Sequence, residues 1–332
     1  MFKYDQDLVD VFTVCHYFLL IFLVIPILYY FIKNEGIDKF MNICNILAVV
    51  MCILLIVQSI LFDSGNIILK GIQNQPIQLR HGNIRLSVSN IVNLSIIYNM
   101  VKVFNGKDRI TKKMFLIISL VIEIYTIITV QMTRVALIIF LGVLVCIILS
   151  KKKVKFKKYI LLVLVLSLIV SYFDISSFIN SFSLNSNSGT VLSTTTRIDA
   201  IKYYIKVFIE NPVLGNGFIR SSRIDLFNLA HGPFGVYYYT DVGVVGIAGE
   251  QGILGILLYL YFIFFIINTW YKINKIKRYV NDIDYGFING IIVYCILSSF
   301  TLVIVNSTRF IMIPIIISIF EFYKIKYGFY KI

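Results

Sequence analysis

Apolar runs recur along the whole chain, separated by short polar stretches. A run of about 17–25 such residues is what a helix needs to cross a bilayer core of roughly 30 Å. In lipid every backbone N–H and C=O must be paired within the protein, so only helices and closed barrels span it. The residue-by-residue alternation of a membrane barrel is absent. The pattern predicts an all-α polytopic membrane protein of about nine transmembrane helices with one large extracytoplasmic loop. The spans are expected near 11–32, 43–62, 86–103, 114–130, 135–149, 159–173, 242–267, 286–305 and 310–323. The first run follows Asp5, Asp7 and Asp10 and lacks the basic start and small-residue cleavage site of a signal peptide, so it reads as a retained span. The expected organisation is helices one to six over 1–173, the loop over 174–241 with an amphipathic helix near 197–209, and helices seven to nine over 242–332.

The net charge of +14 comes from lysines placed in short loops, which is the positive-inside bias of membrane proteins rather than a nucleic-acid footprint. With loops assigned to alternate sides, one side holds loops 33–40, 102–113, 150–158 and 268–285 and the C-terminus. It carries 20 Lys and Arg against 11 on the other, so the N-terminus is expected outside and the C-terminus in the cytoplasm. Arginine divides the other way: Arg80, Arg85, Arg134, Arg197, Arg220, Arg223 and Arg309, seven of nine, fall outside or at outer span ends. Topology does not explain that preference. Guanidinium is a planar fork that grips phosphate oxygens in pairs and keeps its charge when partly buried, so a shared anion site is expected on that face; snorkelling or pairing with acidic neighbours is the alternative. The five cysteines all sit inside apolar runs without metal-ligand or disulfide spacing.

The long loop opens with a Ser/Asn/Thr-rich stretch, Ser176 to Thr196, that reads as linker. Thr196-Arg197-Ile198-Asp199 then reads as a helix start, with Ile198, Ile201, Ile205 and Phe208 on one face. An arginine there would join free N–H groups and the helix dipole in attracting an anion. Asn211-Pro212 ends the helix, and Gly215 and Gly217 allow a tight turn. Beyond it come His231, the run Tyr237, Tyr238 and Tyr239, and Asp241 at the start of a span. The tyrosines suit either sugar stacking or an interfacial belt. Glycines at 243, 246, 249, 252 and 255 advance by less than a helical turn each, so they spiral around the helix and allow close approach along it. Glu250, within that row, is a carboxylate at membrane depth that calls for a polar cavity or a partner.

The order of Thr133-Arg134, Arg197 at a loop helix, Asn-Pro-Val-Leu-Gly-Asn-Gly (211–217), His231, Asp241-Val-Gly and Glu250-Gln-Gly-Ile-Leu-Gly resembles the O-antigen ligase and polymerase superfamily of bacterial membrane glycosyltransferases. His231-Gly232 stands where ligases often read His-Asn, and the Tyr-Tyr-Thr-Asp-Val-Gly segment is more similar to polysaccharide polymerases. The resemblance implies polymerisation, at the outer face of the bacterial cytoplasmic membrane, of repeats carried on polyprenyl (undecaprenyl) diphosphate into O-antigen, capsule or exopolysaccharide. It implies Arg134, Arg197, Arg80, Arg85 and Arg309 as diphosphate ligands, His231 or Asp241 as the base, and Glu250 and Tyr239 as further site residues. No cofactor and no dedicated metal site is expected, since no acidic cluster suits Mg²⁺. Expected partners are the lipid-linked oligosaccharide, membrane lipid, a flippase and a chain-length regulator, with no nucleic acid. The rival readings are a ligase using another acceptor and a lipid-linked-oligosaccharide transporter, whose polar site would lie on a broken helix near the midplane.

Overall fold

The computed structural model describes residues 4–63, 66, 78–80, 83–106, 109–150, 189–220, 222–301, 304–305 and 309–329. The expected span 159–173, the basic run Lys151 to Lys158 and His81 lie outside the described residues, as do the side chains of Arg80 and Arg134. The architecture is helical: α1 (Leu8–Lys33), α2 (Asp38–Asp63), α3 (Asn90–Asn105), α4 (Ile110–Gln131), α5 (Arg134–Ser150), α6 (Gly189–Glu210), α7 (Ile224–His231), α8 (Val244–Lys275), α9 (Asp282–Ser298) and α10 (Met312–Lys326). One short antiparallel hairpin, β1 (Gln78–Arg80) and β2 (Asn83–Arg85), precedes α3.

Among the described residues four helices are long and apolar enough to cross a membrane: α1, α2, α4 and α8. The other expected spans that are described also form helices, but α3, α5, α9 and α10 hold only 15 to 17 residues. That falls short of the ~20 residues an upright span requires. The chain divides into two compact units, one of residues 1–20, 155–267 and 295–310, the other of 21–154, 268–294 and 311–332.

The second unit is built around α3, whose polar side chains point inward. Asn90, Asn93, Ser95, Asn99, Lys102 and Asn105 are all buried. Such groups are tolerated only if paired. Asn99 Nδ2 donates to Asn45 Oδ1 at 3.0 Å and to Glu123 Oε2 at 3.1 Å, and Ser95 Oγ donates to Asn45 Oδ1 at 3.1 Å. Three helices, α2, α3 and α4, are thereby tied at one level. Asn93 Nδ2 reaches the Tyr294 hydroxyl at 2.9 Å on α9. Asp284 gathers hydrogen bonds from Tyr323 and Tyr327, fastening α10 to the start of α9.

The two acceptors Asn99 Oδ1 and Glu123 Oε1 have no partner among the described residues. Glu123→Ala would remove one of the acceptors of the Asn99 amide, leaving it Asn45 Oδ1, and is expected to cost about 1–3 kcal/mol. Glu123→Gln keeps an acceptor for Asn99 and adds a donor, so its thermal unfolding in detergent should stay close to wild type; equal destabilisation of the two variants would contradict this network.

Candidate active site

The first unit is organised by a break in α8. Gly252 takes φ 64° and ψ −156°, outside helical values, and so divides the 32 residues Val244–Lys275 into two helical stretches. In an unbroken helix Ile253 N–H would bond the Gly249 carbonyl. Here Ile253 N–H bonds Pro212 O at 2.8 Å, while the freed carbonyls of Gly249 and Glu250 accept from Asn216 N at 2.9 Å and Gly217 N at 2.7 Å. The Asn211–Gly217 turn therefore serves as the missing backbone partner of the broken helix. Glycine is needed on both sides of this clasp. Gly215 and Gly252 both have positive φ, and a Cβ would lie 2.3 Å from Gly249 O at Gly215 and 2.3 Å from Val213 O at Gly252.

The same turn holds α7 in place. The last carbonyls of a helix lack intrahelical partners, and here side chains supply them. Asn216 Nδ2 donates to Leu229 O at 2.8 Å, Tyr203 Oη to Leu229 O at 2.9 Å, and Tyr204 Oη lies 3.0 Å from Ala230 O. His231 ends α7. Its carbonyl accepts from Tyr237 N at 2.8 Å, closing the turn through Gly232 and Gly235.

The His231 ring sits between Phe227 and Tyr238, each with its centroid 4.8 Å away. Nδ1 lies 3.4 Å from Tyr237 O, the carbonyl that also accepts from Tyr204 Oη at 3.0 Å. A carbonyl can only accept, so Nδ1 carries the hydrogen and the neutral ring has its lone pair on Nε2. Burial pushes the imidazole below its ordinary 6.5, with the Tyr237 carbonyl acting weakly in the opposite direction. Tyr239 and Asp241 form the short 3₁₀ turn that leads into α8. The Tyr204 and Tyr239 hydroxyls are both pushed up, first by burial and then by the nearby Glu250 carboxylate. Tyr204 also feels Asp241. This unit thus brings His231, Tyr239, Asp241 and Glu250 around Tyr204, a residue that sequence reading passed over. Its signal was the periodicity of α6, in which Ala200, Tyr204 and Val207 form the buried face.

The arginines divide among different roles. Arg220 is 2.6 Å from Asp10, and Arg223 is 3.7 Å from Asp10 and 2.8 Å from Asp225. For these two, pairing with acidic neighbours is what the structure contains. Arg197 is half-buried in the interior of α6, about two turns past its start at Gly189. The helix therefore begins before the expected hydroxyl cap, and its free N–H groups are not beside Arg197. Arg309 precedes Phe310, whose ring packs 5.3 Å from Tyr17 and 5.0 Å from Phe18. In the second unit Arg134 is the first residue of α5, after a left-handed turn at Met132. Arg85 Nε donates to Gln131 O at 3.1 Å, and Leu86 N to Val130 O at 3.1 Å. Arg85 is therefore anchored three residues before Arg134. Arg80 pairs with Asn83 across the hairpin. No group of three His, Cys, Asp or Glu able to hold a metal ion occurs among the described residues.

Residues 115–260 match the family model described as O-antigen ligase. This segment belongs to the O-antigen ligase and polymerase superfamily. No curated protein matches the chain in sequence. The matched segment covers α5 through α7 and the break in α8, so the clasp and His231 both lie inside the family domain. Members of that family are glycosyltransferase-like ligases and polymerases, and the family match together with the apolar helices points to a multi-pass membrane protein.

Gly252→Ala would hold an alanine at φ 64° and ψ −156°, a region essentially reserved for glycine, against Val213, with a backbone cost of about 1–3 kcal/mol before any clash. The expected result is a lower unfolding temperature and faster amide hydrogen exchange at Asn216 and Gly217. Wild-type protection at those two amides would show that the clasp does not depend on Gly252.

Proposed function

We propose that the chain polymerises polyprenyl-diphosphate-linked oligosaccharide repeats into O-antigen, capsule or exopolysaccharide by glycosyl transfer at the outer face of the bacterial cytoplasmic membrane. The observation that carries this reading is His231: Nδ1 is committed to a backbone carbonyl, and burial favours the neutral ring. That leaves Nε2 as a base. In the proposed step Nε2 takes the proton of an acceptor sugar hydroxyl, and the acceptor oxygen bonds to the anomeric carbon of the donor chain. The anomeric C–O bond to phosphate breaks, and its electron pair leaves with polyprenyl diphosphate. The proton on His231 then passes to the departing phosphate or to water. Asp241, near Tyr204, is the alternative base.

Negative charge grows on the leaving diphosphate, so arginines placed beforehand favour the transition state over the ground state. Arg134 and Arg197 are proposed for that role on the strength of the family motif and guanidinium chemistry, with Arg80, Arg85 and Arg309 as further candidates. The transfer is proposed to be metal-independent. Nine spans, an extracytoplasmic loop over 174–241, an outer N-terminus and a cytoplasmic C-terminus complete the proposed topology. A flippase and a chain-length regulator are the proposed protein partners. Two other readings draw on specific observations. The family description favours a ligase, which product analysis separates: long chains on the same polyprenyl carrier mean polymerase. The break at Gly252 beside Glu250 resembles a transporter's broken helix, and translocation without glycosidic bond formation would select that reading.

The test is transfer by purified protein using lipid-linked repeats extracted from the producing cells. His231→Ala is expected to lower turnover by about 10²–10⁴-fold. Arg134→Ala and Arg197→Ala should each lower it by about 10²–10³-fold. Full activity in all three folded variants would end the proposal.

The pH profile has a definite sign. A base works when neutral, and burial holds His231 below 6.5, so activity should be level near neutrality and fall on acidification below that value. An acid limb that survives in His231→Gln would assign the base elsewhere. Activity should also persist in a chelator; loss restored by Mg²⁺ would refute metal independence.

A further inference from the structure

The segment that leads into α1 is laid along the loop that leads into α7, within the same unit. Asp5 turns the chain with φ 47°, a left-handed value that aspartate tolerates better than most side chains. Gln6, just beyond that turn, is buried. Its side-chain amide serves the two peptide groups that flank Ile219. Nε2 donates to Phe218 O at 3.3 Å, and Oε1 accepts from Arg220 N at 2.9 Å. Arg220 Nη1 then donates to Asp10, in the first turn of α1, at 2.6 Å. Further along α1 the Phe18 ring sets its edge against Phe218, with centroids 5.6 Å apart.

These contacts bear on both ends of α7. The helix has 8 residues. Isolated helices shorter than about 12–15 residues are marginal in water, so α7 depends on support from outside itself. Its start receives no side-chain cap. Arg223, the residue before Ile224, is held from the strand of chain opposite: Nη1 donates to Asp5 O at 2.8 Å and lies 3.7 Å from Asp10. Its Nε and Nη2 pair with Asp225, in the first turn of the helix. The end of α7 is held by Asn216, whose Nδ2 donates to Leu229 O at 2.8 Å. The other atom of that amide, Oδ1, accepts from the Tyr4 hydroxyl at 3.4 Å. His231 is the last residue of this helix.

We propose that residues 4–10 form a strap that holds α7 against the clasp, making Gln6 and Asp10 positioning residues for His231. A tether of the loop alone would be indifferent to α7, whereas this segment reaches its N-cap residue and the amide that closes its last turn. The strap lies outside the family segment 115–260, so the candidate site is completed by a part of the chain that the family domain does not contain. The effect on rate rests on the glycosyl-transfer reading; the effect on the mobility of α7 does not.

The experiment uses the full chain in nanodiscs, with lipid-linked repeats extracted from the producing cells. Gln6→Ala removes the amide that serves Phe218 O and Arg220 N. Asp10→Ala removes the carboxylate shared by Arg220 and Arg223, and Asp10→Glu keeps the charge. Misplacing a catalytic group by about 1 Å can cost about 10²-fold in rate. Each alanine variant should therefore lower kcat about tenfold or more, with KM changed less than about twofold. Asp10→Glu should recover most of the rate. Amide hydrogen exchange should quicken at Asn216, Gly217 and along α7, while the second unit keeps its protection. If Gln6→Ala does not fold, Asp10→Ala and Asp10→Glu decide. Unchanged kcat and exchange in the folded variants would overturn the strap and leave glycosyl transfer intact. Faster exchange in α7 with unchanged kcat would overturn the positioning role. A uniform rise in exchange with a lower unfolding temperature would make the segment a general stabiliser and overturn the proposal. Local exchange changes in a protein that forms no glycosidic bond would overturn the transfer reading and keep the strap as the support of α7.

Discussion

A helix that is interrupted in or near a membrane exposes backbone groups that lipid cannot solvate, and each left unpaired costs several kcal/mol. In this chain the interruption at Gly252 releases the carbonyls of Gly249 and Glu250, and the N–H of Ile253 is among the donors it frees. The Asn211–Gly217 turn returns two N–H groups and one carbonyl to them. Much of the rest of the unit follows from that exchange. The turn must be narrow, which fixes Gly215, and it must present Asn216, whose side chain then holds the end of α7. The end of α7 carries His231, so the orientation of the imidazole traces back to the pairing of three peptide groups on another helix.

The histidine illustrates how a fold sets a protonation state without a charged neighbour. Its hydrogen bond goes to a neutral carbonyl and its ring faces aromatic carbon, so burial is the larger influence and disfavours the cation. A carboxylate partner would have stabilised the imidazolium and weakened the case for a base at neutral pH. Sharing the Tyr237 carbonyl with Tyr204 also couples the ring to α6, whose tyrosines bind the last carbonyls of α7. In the proposed reaction, whose charge develops at the leaving phosphate rather than at the attacking hydroxyl, a neutral imidazole held by one backbone carbonyl would serve as the base.

Arginine enrichment is a weaker guide than it first appears. Arg220 and Arg223 have the same residue type and loop as Arg197, yet Asp10 and Asp225 account for them. Asp10 is more than 200 positions away in sequence, and no local pattern could reveal the pairing. The helix-start argument suffers similarly. A hydroxyl followed by an acidic residue at 196–199 imitates a cap, but α6 already runs through that point, because the Ser/Thr stretch before it continues the helix. The position that does begin a helix is Arg134, after the left-handed turn at Met132.

What hydropathy and motif order conveyed was the helical class and the family matched by residues 115–260; what they could not convey was pairing at a distance. The three-residue glycine row of α8 shows the boundary between the two. Its spiral was legible from the helical repeat, and the structure bears the geometry out. Gly243 meets Ser299 and Phe300, Gly246 meets Tyr239, Gly249 meets Tyr204 and Gly252 meets Val213, a different neighbour at each step. That the fourth of these glycines breaks the helix was not legible, since Glu250 and Gln251 beside it are compatible with a continuous helix and glycine is tolerated in membrane helices for packing alone. The break becomes necessary only with the turn at 211–217 in place, because that turn supplies the peptide partners without which an unwound residue here could not persist. The two segments therefore specify each other: Asn-Pro-Val-Leu-Gly-Asn-Gly without the break would clash with an intact helix, and the break without the turn would leave peptide groups unpaired.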